Sequence, residues 1–118
     1  MTLLFVYGSL KRGFLHHDFL AGSAFVRAAS TAPGYQLVLQ GEYPALALDP
    51  GAPGVVEGEL YLVGDELLPE LDHFEGCPEL YQRENVVLDD GTTALSYVIS
   101  AGRAASLPRV AGAAWVKR

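Results

Sequence analysis

One stretch of the chain, residues 65–75, repeats its apolar residues with the period of an amphipathic helix. The other apolar residues fall mostly in short runs that glycine and proline interrupt, and such runs are typical of β-strands. Because these runs do not alternate with helices, a doubly wound parallel sheet is disfavoured, and we predict an α+β fold with a closed or nearly closed sheet. The predicted strands cover residues 3–7, 23–28, 35–39, 43–48, 55–63, 84–88 and 94–99, with a short helix near 15–20.

Single residues add detail to this outline. Gly58 interrupts a long predicted strand, which indicates a bulge or a close backbone approach. We expect Asp65 to cap the main helix and Pro69 to be tolerated because it lies near the first turn. The region from residue 101 onward is ambiguous, although Trp115 predicts that its end packs back on the body.

The composition is that of an ordinary globular protein. The chain has 118 residues, of which 50% are hydrophobic and 19% are charged, so we treat residues 1–118 as a single domain. The formal net charge is −6, with eight Lys and Arg residues in all. Phosphate-rich partners need concentrated positive charge, so we expect neither nucleic acid nor an anionic membrane as the main partner. The Lys11 and Arg12 cluster is short, and we expect Lys117 and Arg118 to form a solvated tail.

The cellular setting follows from cysteine usage and hydropathy. Cys77 is the one cysteine, so it has no internal disulfide partner, and a reducing cytoplasm is the natural setting. No run approaches the ~20 apolar residues that a membrane helix needs. Residues 2–7 have the character of a strand and lack a basic leader, so we predict no signal peptide. We expect a soluble, cytoplasmic protein.

Glu75 is the most informative side chain for function. At about 100° per residue, Leu67, Leu71 and Leu68 share one face of the predicted helix, and Glu75 falls between Leu71 and Leu68. A carboxylate on an apolar face is costly, and desolvation raises its pKa toward the neutral range in which general acid–base catalysts work. The alternative is that Glu75 lies at a frayed helix end, before Gly76, and reaches water.

The turn after the first predicted strand is a second candidate. Gly8 allows close backbone approach, and successive N–H groups in such a turn can form a concavity for an anion. The turn is therefore either a carboxylate or oxyanion cradle or an ordinary exit from a strand. It is not a phosphate loop, because the required glycine spacing is missing. Its residues are Tyr7, Gly8, Ser9 and Leu10.

Nucleophile and metal signals are weak. Cys77 and His73 are four residues apart, but the helix is expected to end between them, and a lone cysteine is usually a small buried hydrophobe. Ser9 has no identifiable partner, so no Ser-His-Asp arrangement can be argued. Adjacent residues on a helix point about 100° apart, which disfavours a metal site made of His16, His17 and Asp18.

Tyr81 and Arg83 open a predicted strand, where alternate residues share a face. Both side chains would line a pocket near Glu75, or Arg83 would only neutralise the Glu75 carboxylate. The sequence leaves these alternatives open.

Three blocks of sequence, taken together, resemble the γ-glutamylcyclotransferase-like family, and within it the members that act on γ-glutamylamines. Any one block is weak, but the three occur in family order and at family spacing, and the likeness runs from residue 3 to about residue 99. They are FVYGSLKRG at residues 5–13, followed by His17, VEGELY at residues 56–61 and LDHFEGCPELYQR at residues 71–83.

The resemblance implies a small mixed, mostly antiparallel barrel with a cavity at one end. It implies that Glu75 is the catalytic acid/base, and that the substrate is contacted by Tyr7, Gly8, Ser9, Leu10 and, less securely, Tyr81. In the implied reaction, the α-amine of a γ-glutamyl group attacks its own γ-carbonyl and releases 5-oxoproline with a free amine or amino acid. No metal, other cofactor or covalent intermediate is required.

Two other functions remain open from the sequence. One is removal of a γ-glutamyl group during natural-product biosynthesis, since the site residues would hold the glutamyl end and cannot discriminate leaving groups. The other is a catalytically silent small-molecule-binding module of the same fold. Retention of Glu75 argues against the silent module, because binding alone needs no proton carrier.

Overall fold

The computed structural model describes residues 1–116, so the expected solvated tail at Lys117 and Arg118 lies outside the described residues. No helix in the described part is long and apolar enough to cross a membrane. The elements are β1 (Thr2–Val6), a 3₁₀ helix (His17–Leu20), β2 (Ala24–Ser30), β3 (Tyr35–Gln40), β4 (Tyr43–Leu48), β5 (Glu57–Val63), a 3₁₀ helix (Asp65–Leu67), α1 (Leu68–Glu75), β6 (Gln82–Val87), β7 (Thr93–Val98) and α2 (Ala101–Ala104).

The strands form one mixed sheet in the order β2-β5-β1-β7-β4-β3, with β6 paired to β7. The β1–β7 and β4–β7 pairs are parallel, and the other pairs are antiparallel. An isolated antiparallel bridge between Thr31 and Leu88 joins the end of β2 to the end of β6. The sheet is therefore nearly closed without being a complete barrel, and the predicted α+β class is confirmed.

The sheet divides along β7. Strand β6 pairs with the whole of β7, whereas β1 and β4 share its other edge, at Leu4 with Leu95 and at Leu46 with Val98. A sheet edge holds one neighbour at a time, so the end of β1 and the start of β4 must separate beside Ser96 and Tyr97. A cavity of the described structure opens at this separation.

The Tyr7 hydroxyl connects the separated strands. It donates a hydrogen bond to the backbone oxygen of Tyr97 at 2.5 Å and accepts one from the backbone N–H of Leu46 at 3.2 Å. In a parallel ladder, that N–H and that carbonyl pair with each other. The Leu46 carbonyl accepts a hydrogen bond from the N–H of Ile99 at 3.0 Å. Because the pairing of Leu46 with Val98 includes the bond from the Leu46 N–H to the Tyr97 carbonyl, Tyr7 reinforces one rung of the β4–β7 ladder.

Helix α1 covers one face of the sheet through Leu68 and Leu71, which are buried in the same cluster as Leu4 and Val6. A second cluster on the other face contains Phe5, Tyr7 and Trp115. Trp115 is 8% exposed, so the predicted return of the chain end to the body is confirmed.

The structure corrects several local predictions. The Asp65 carboxylate does not cap the helix; it accepts a hydrogen bond from the Thr2 hydroxyl at 2.7 Å and pairs with the N-terminal amine. Gly58 marks a close approach, because a Cβ there would meet the carbonyl oxygen of Val6 and the Phe5 ring. The register shift lies instead in β2, between Phe25 and Arg27. The fifth strand begins two residues later than predicted and the sixth two residues earlier, and the ambiguous region contains the short helix α2.

Replacing Tyr7 by Phe should destabilise the fold. The substitution removes the two hydrogen bonds that the hydroxyl makes to buried backbone groups of Leu46 and Tyr97, and each loss costs about 1–2 kcal/mol. We expect the free energy of unfolding in urea to fall by about 2–4 kcal/mol. Tyr43→Phe is the control, because Tyr43 is 43% exposed and its hydroxyl makes no hydrogen bond within residues 1–116. Equal stability of the two variants would contradict the bridging role.

Candidate active site

The cavity has a volume of about 290 Å³ and lies between the end of β1, the start of β4 and the end of α1. It brings together all six residues that the sequence singled out as catalytic or substrate-contacting. Four come from the turn after β1, one ends α1 and one precedes β6. The wall also includes Phe5, Val6, His16, Gln40, Tyr43, Pro44, Phe74, Leu80, Ser96 and Tyr97.

Glu75 is the last residue of α1 and lies partly buried in the cavity wall. The helix ends there because Gly76 adopts a left-handed conformation, with φ of 69°, and its N–H bonds back to the carbonyl of His73. No hydrogen bond or ion pair reaches the Glu75 carboxylate from residues 1–116. Burial alone raises its pKa from 4.5 to about 7. Glu75 can therefore both accept and donate a proton near neutral pH.

The turn after β1 offers unpaired backbone donors beside this acid. The N–H groups of Gly8, Ser9 and Leu10 have no acceptor within residues 1–116, while the Gly8 carbonyl accepts from the N–H of Lys11 at 3.1 Å. Glycine is required at the first position, because a Cβ on Gly8 would lie 2.8 Å from Cγ of Pro44. Three successive free N–H groups can hold a carboxylate or an oxyanion.

Two tyrosines support the wall. The Tyr81 hydroxyl donates to the backbone oxygen of Pro44 at 2.9 Å, and Tyr7 bridges β7 and β4. Burial, reinforced by the Glu75 charge, raises the pKa of both phenols, so both remain protonated at neutral pH. Each hydroxyl already donates to a carbonyl, which assigns both tyrosines to shaping the cavity.

The sequence was compared with known families and proteins. A model of the family described as gamma-glutamyl cyclotransferase, AIG2-like, matches residues 4–117. The chain belongs to this family. The mouse AIG2-like protein has the same fold: its crystal structure superposes with a TM-score of 0.78 at 31% identity, over 93% of this chain and 86% of the mouse chain.

Curated relatives of this AIG2-like chain carry cyclotransferase names. Human gamma-glutamylaminecyclotransferase is 48% identical over 90 residues, which are 70% of this chain and 59% of the human protein. A putative gamma-glutamylcyclotransferase of Vibrio cholerae is 37% identical over 90 residues, which are 76% of each protein. The chain therefore spans about three fifths of the length of the human relative.

His16 is a cavity residue that the sequence did not reveal. Its Nδ1 lies 2.9 Å from the Ser9 hydroxyl, and its backbone N–H donates to the Ser9 carbonyl at 2.8 Å. Ser9, for which the sequence identified no partner, thus contacts His16. The intervening loop folds back on itself through irregular turns, and no periodicity in the sequence indicates that contact. His17 is directed elsewhere, with its Nδ1 2.9 Å from the Leu10 carbonyl oxygen.

Arg83 does not line the cavity and does not neutralise Glu75. Its Nη1 lies 3.1 Å from a carboxylate oxygen of Asp72. Neither of the two roles that the sequence left open for this arginine is therefore observed. Tyr81 does line the cavity. Cys77 follows the helix end but is not a wall residue, and burial raises its thiol pKa to about 11, away from a reactive thiolate.

The raised pKa of Glu75 predicts a pH-dependent contribution to stability. Between about pH 4.5 and 7 the folded protein holds a proton that the unfolded chain has released. The contribution is complete below that interval and disappears as the pH rises through it. We expect the stability advantage of wild type over Glu75→Gln to fall by about 1–3 kcal/mol across it, measured by urea unfolding. Glu70→Gln, on an exposed position of the same helix, should show no such slope; a matching slope in this control would refute the assignment.

Proposed function

We propose that this chain is a γ-glutamyl cyclotransferase that acts on γ-glutamylamines. The observation that carries the proposal is an unpaired acid of neutral pKa, Glu75, in the same cavity as the free N–H groups of Gly8, Ser9 and Leu10. The family match and the names of the curated relatives support it.

The first step prepares the nucleophile. The substrate α-ammonium is not nucleophilic, so ionised Glu75 takes one of its protons. The α-amine then attacks the γ-carbonyl carbon of its own glutamyl group, and the carbonyl becomes an oxyanion. Because the attack is intramolecular, the cavity mainly folds the substrate into a reactive shape, and the turn N–H groups hold the α-carboxylate, the oxyanion or both.

The second step releases the amine. Protonated Glu75 returns its proton to the leaving nitrogen and the carbon–nitrogen bond breaks, while the former α-amine nitrogen gives up its second proton, which ends on the released amine; 5-oxoproline and the amine as its ammonium ion remain. Water is not consumed, and Glu75 returns to its ionised state. The chemistry as written calls for no cofactor.

The wider assignment is equally a proposal. We infer a single-domain enzyme with a small γ-glutamyl compound as its partner. Nucleic acid and membranes are not expected as partners at a net charge of −6. A cytoplasmic location stays a prediction from cysteine usage.

Glu75→Gln should abolish 5-oxoproline release. The amide keeps the size of the side chain but cannot take a proton from the α-ammonium, so we expect kcat to fall at least about 10²-fold. The assay is chromatographic detection of 5-oxoproline across γ-glutamylamines, γ-glutamyl amino acids and γ-glutamyl-ε-lysine. Glu70→Gln is the matched control on the exposed face of α1. Near-normal turnover by folded Glu75→Gln would reject Glu75 as the catalyst, and absence of turnover in wild type would reject the enzyme.

The pH profile tests the role of Glu75 as a base. Only the ionised carboxylate starts the reaction, so kcat/KM should rise about tenfold per pH unit and level off near pH 7. Initial rates between pH 4.5 and 8 give the midpoint. A midpoint near the ordinary value for glutamate would mean that another group limits the reaction.

A further inference from the structure

Three rings form a continuous wall along the cavity. The His16 ring meets the Phe74 ring edge-on with centroids 4.7 Å apart, and it lies 5.9 Å from the Tyr43 ring on the other side. All three residues line the cavity, and Phe19 supports Phe74 from behind at 4.5 Å. The proposed function places no substrate group against this wall.

The wall begins at the proposed catalytic groups and ends at solvent. Phe74 directly precedes Glu75, and His16 is hydrogen-bonded to Ser9 of the turn, whereas Tyr43 is 43% exposed. A substrate whose glutamyl end occupies the turn must direct its other end past these rings. That other end is the leaving amine.

The position of His16 is well defined. Two hydrogen bonds to Ser9, one from its backbone and one at Nδ1, fix the loop and the ring. Nε2 makes no hydrogen bond within residues 1–116, so a ring face and one polar atom remain for a ligand. A fixed ring offers a flat ligand a stacking partner at little cost in side-chain entropy.

The charges of the wall restrict the ligand further. Glu75 is the one acid among the lining residues of the described structure, and no Lys or Arg lines the cavity there. The Arg103 charge lowers the Tyr81 pKa against the stronger effect of burial, but its guanidinium faces the Glu79 carbonyl oxygen at 3.5 Å. A leaving group with its own carboxylate would therefore meet Glu75 without a compensating cation.

We propose that His16, Phe74 and Tyr43 form a leaving-group subsite that selects flat aromatic amines without a carboxylate, with His16 as the specificity-determining residue. This inference rests on the proposed function, because it assumes that the turn holds the glutamyl end. It goes further by giving the chemical class of the amine.

Three amides of matched size test the subsite. They are γ-glutamyl-phenethylamide, γ-glutamyl-2-cyclohexylethylamide, which has similar bulk but no flat ring, and γ-glutamyl-phenylalanine, which adds a carboxylate. For wild type we expect kcat/KM for the phenethylamide to exceed that for the cyclohexyl compound about three- to tenfold, the range of an aromatic pair. It should exceed that for γ-glutamyl-phenylalanine at least about tenfold. Equal rates for the three compounds, or a preference for either of the others, would overturn the subsite.

Variants assign the preference to His16. His16→Ala should bring the phenethyl-to-cyclohexyl ratio close to one, and His16→Phe, which restores a ring without the bond to Ser9, should recover it. Phe25→Ala is the control, because it removes a half-exposed ring outside the cavity and should leave the ratio unchanged. A ratio unaffected by His16→Ala, or lost equally in Phe25→Ala, would overturn the role of His16.

Binding to Glu75→Gln separates this inference from the proposed function. In that background we expect a lower Kd for the phenethylamide than for the cyclohexyl compound, and loss of the difference on adding His16→Ala. Such a preference together with no turnover in wild type would refute the cyclotransferase activity and support the subsite. Turnover in wild type with no preference in rate or Kd would refute the subsite but not the cyclotransferase activity.

Discussion

The architecture depends on one hydroxyl, that of Tyr7, which bonds to backbone groups of both β4 and β7 at the place where the sheet divides. Strands β1 and β4 need the same edge of β7, and they diverge beside Tyr97. At this divergence the Leu46 N–H and the Tyr97 carbonyl lie in the interior, where a polar group without a partner is costly. Tyr7 satisfies both. The gap that makes the cavity is thus compatible with a stable sheet.

The same need to pair buried polar groups explains which polar groups of the cavity remain available to a ligand. The hydroxyls of Tyr7 and Tyr81 are committed to backbone carbonyls, and the Ser96 hydroxyl donates to the Phe5 carbonyl at 2.7 Å. No fully buried side-chain nitrogen or oxygen within residues 1–116 lacks a partner. Glu75 is only partly buried, so it can stay unpaired at the cavity surface. An acid held in this way lowers stability near neutral pH, a cost that proteins tolerate where function needs it.

The sequence alone predicted the features that depend on local interactions, and it missed features that depend on contacts between residues far apart in the chain. Helical periodicity placed Glu75 on the inner face of α1, and short apolar runs, several of them bounded by turn residues, located the seven strands to within about two residues, because both signals are local. Asp65 was assigned a local capping role, but a distant partner, Thr2, takes its carboxylate. The contact between His16 and Ser9 depends on an irregular loop, and the division of the sheet at β7 depends on pairing between strands far apart in sequence. Neither leaves a periodic pattern in the chain.

The ion pair between Asp72 and Arg83 lies about one helical turn from Glu75. Arg83 lies in β6, the strand that follows α1 in the chain. A guanidinium beside Glu75 would favour the ionised carboxylate and lower its pKa. In the proposed reaction, such a carboxylate would be a weaker base for the α-ammonium of the substrate. Asp72 holds Arg83 at 3.1 Å, and burial is the one cause of the shift at Glu75. Burial therefore sets the pKa of Glu75, while the cation in β6 is paired with Asp72.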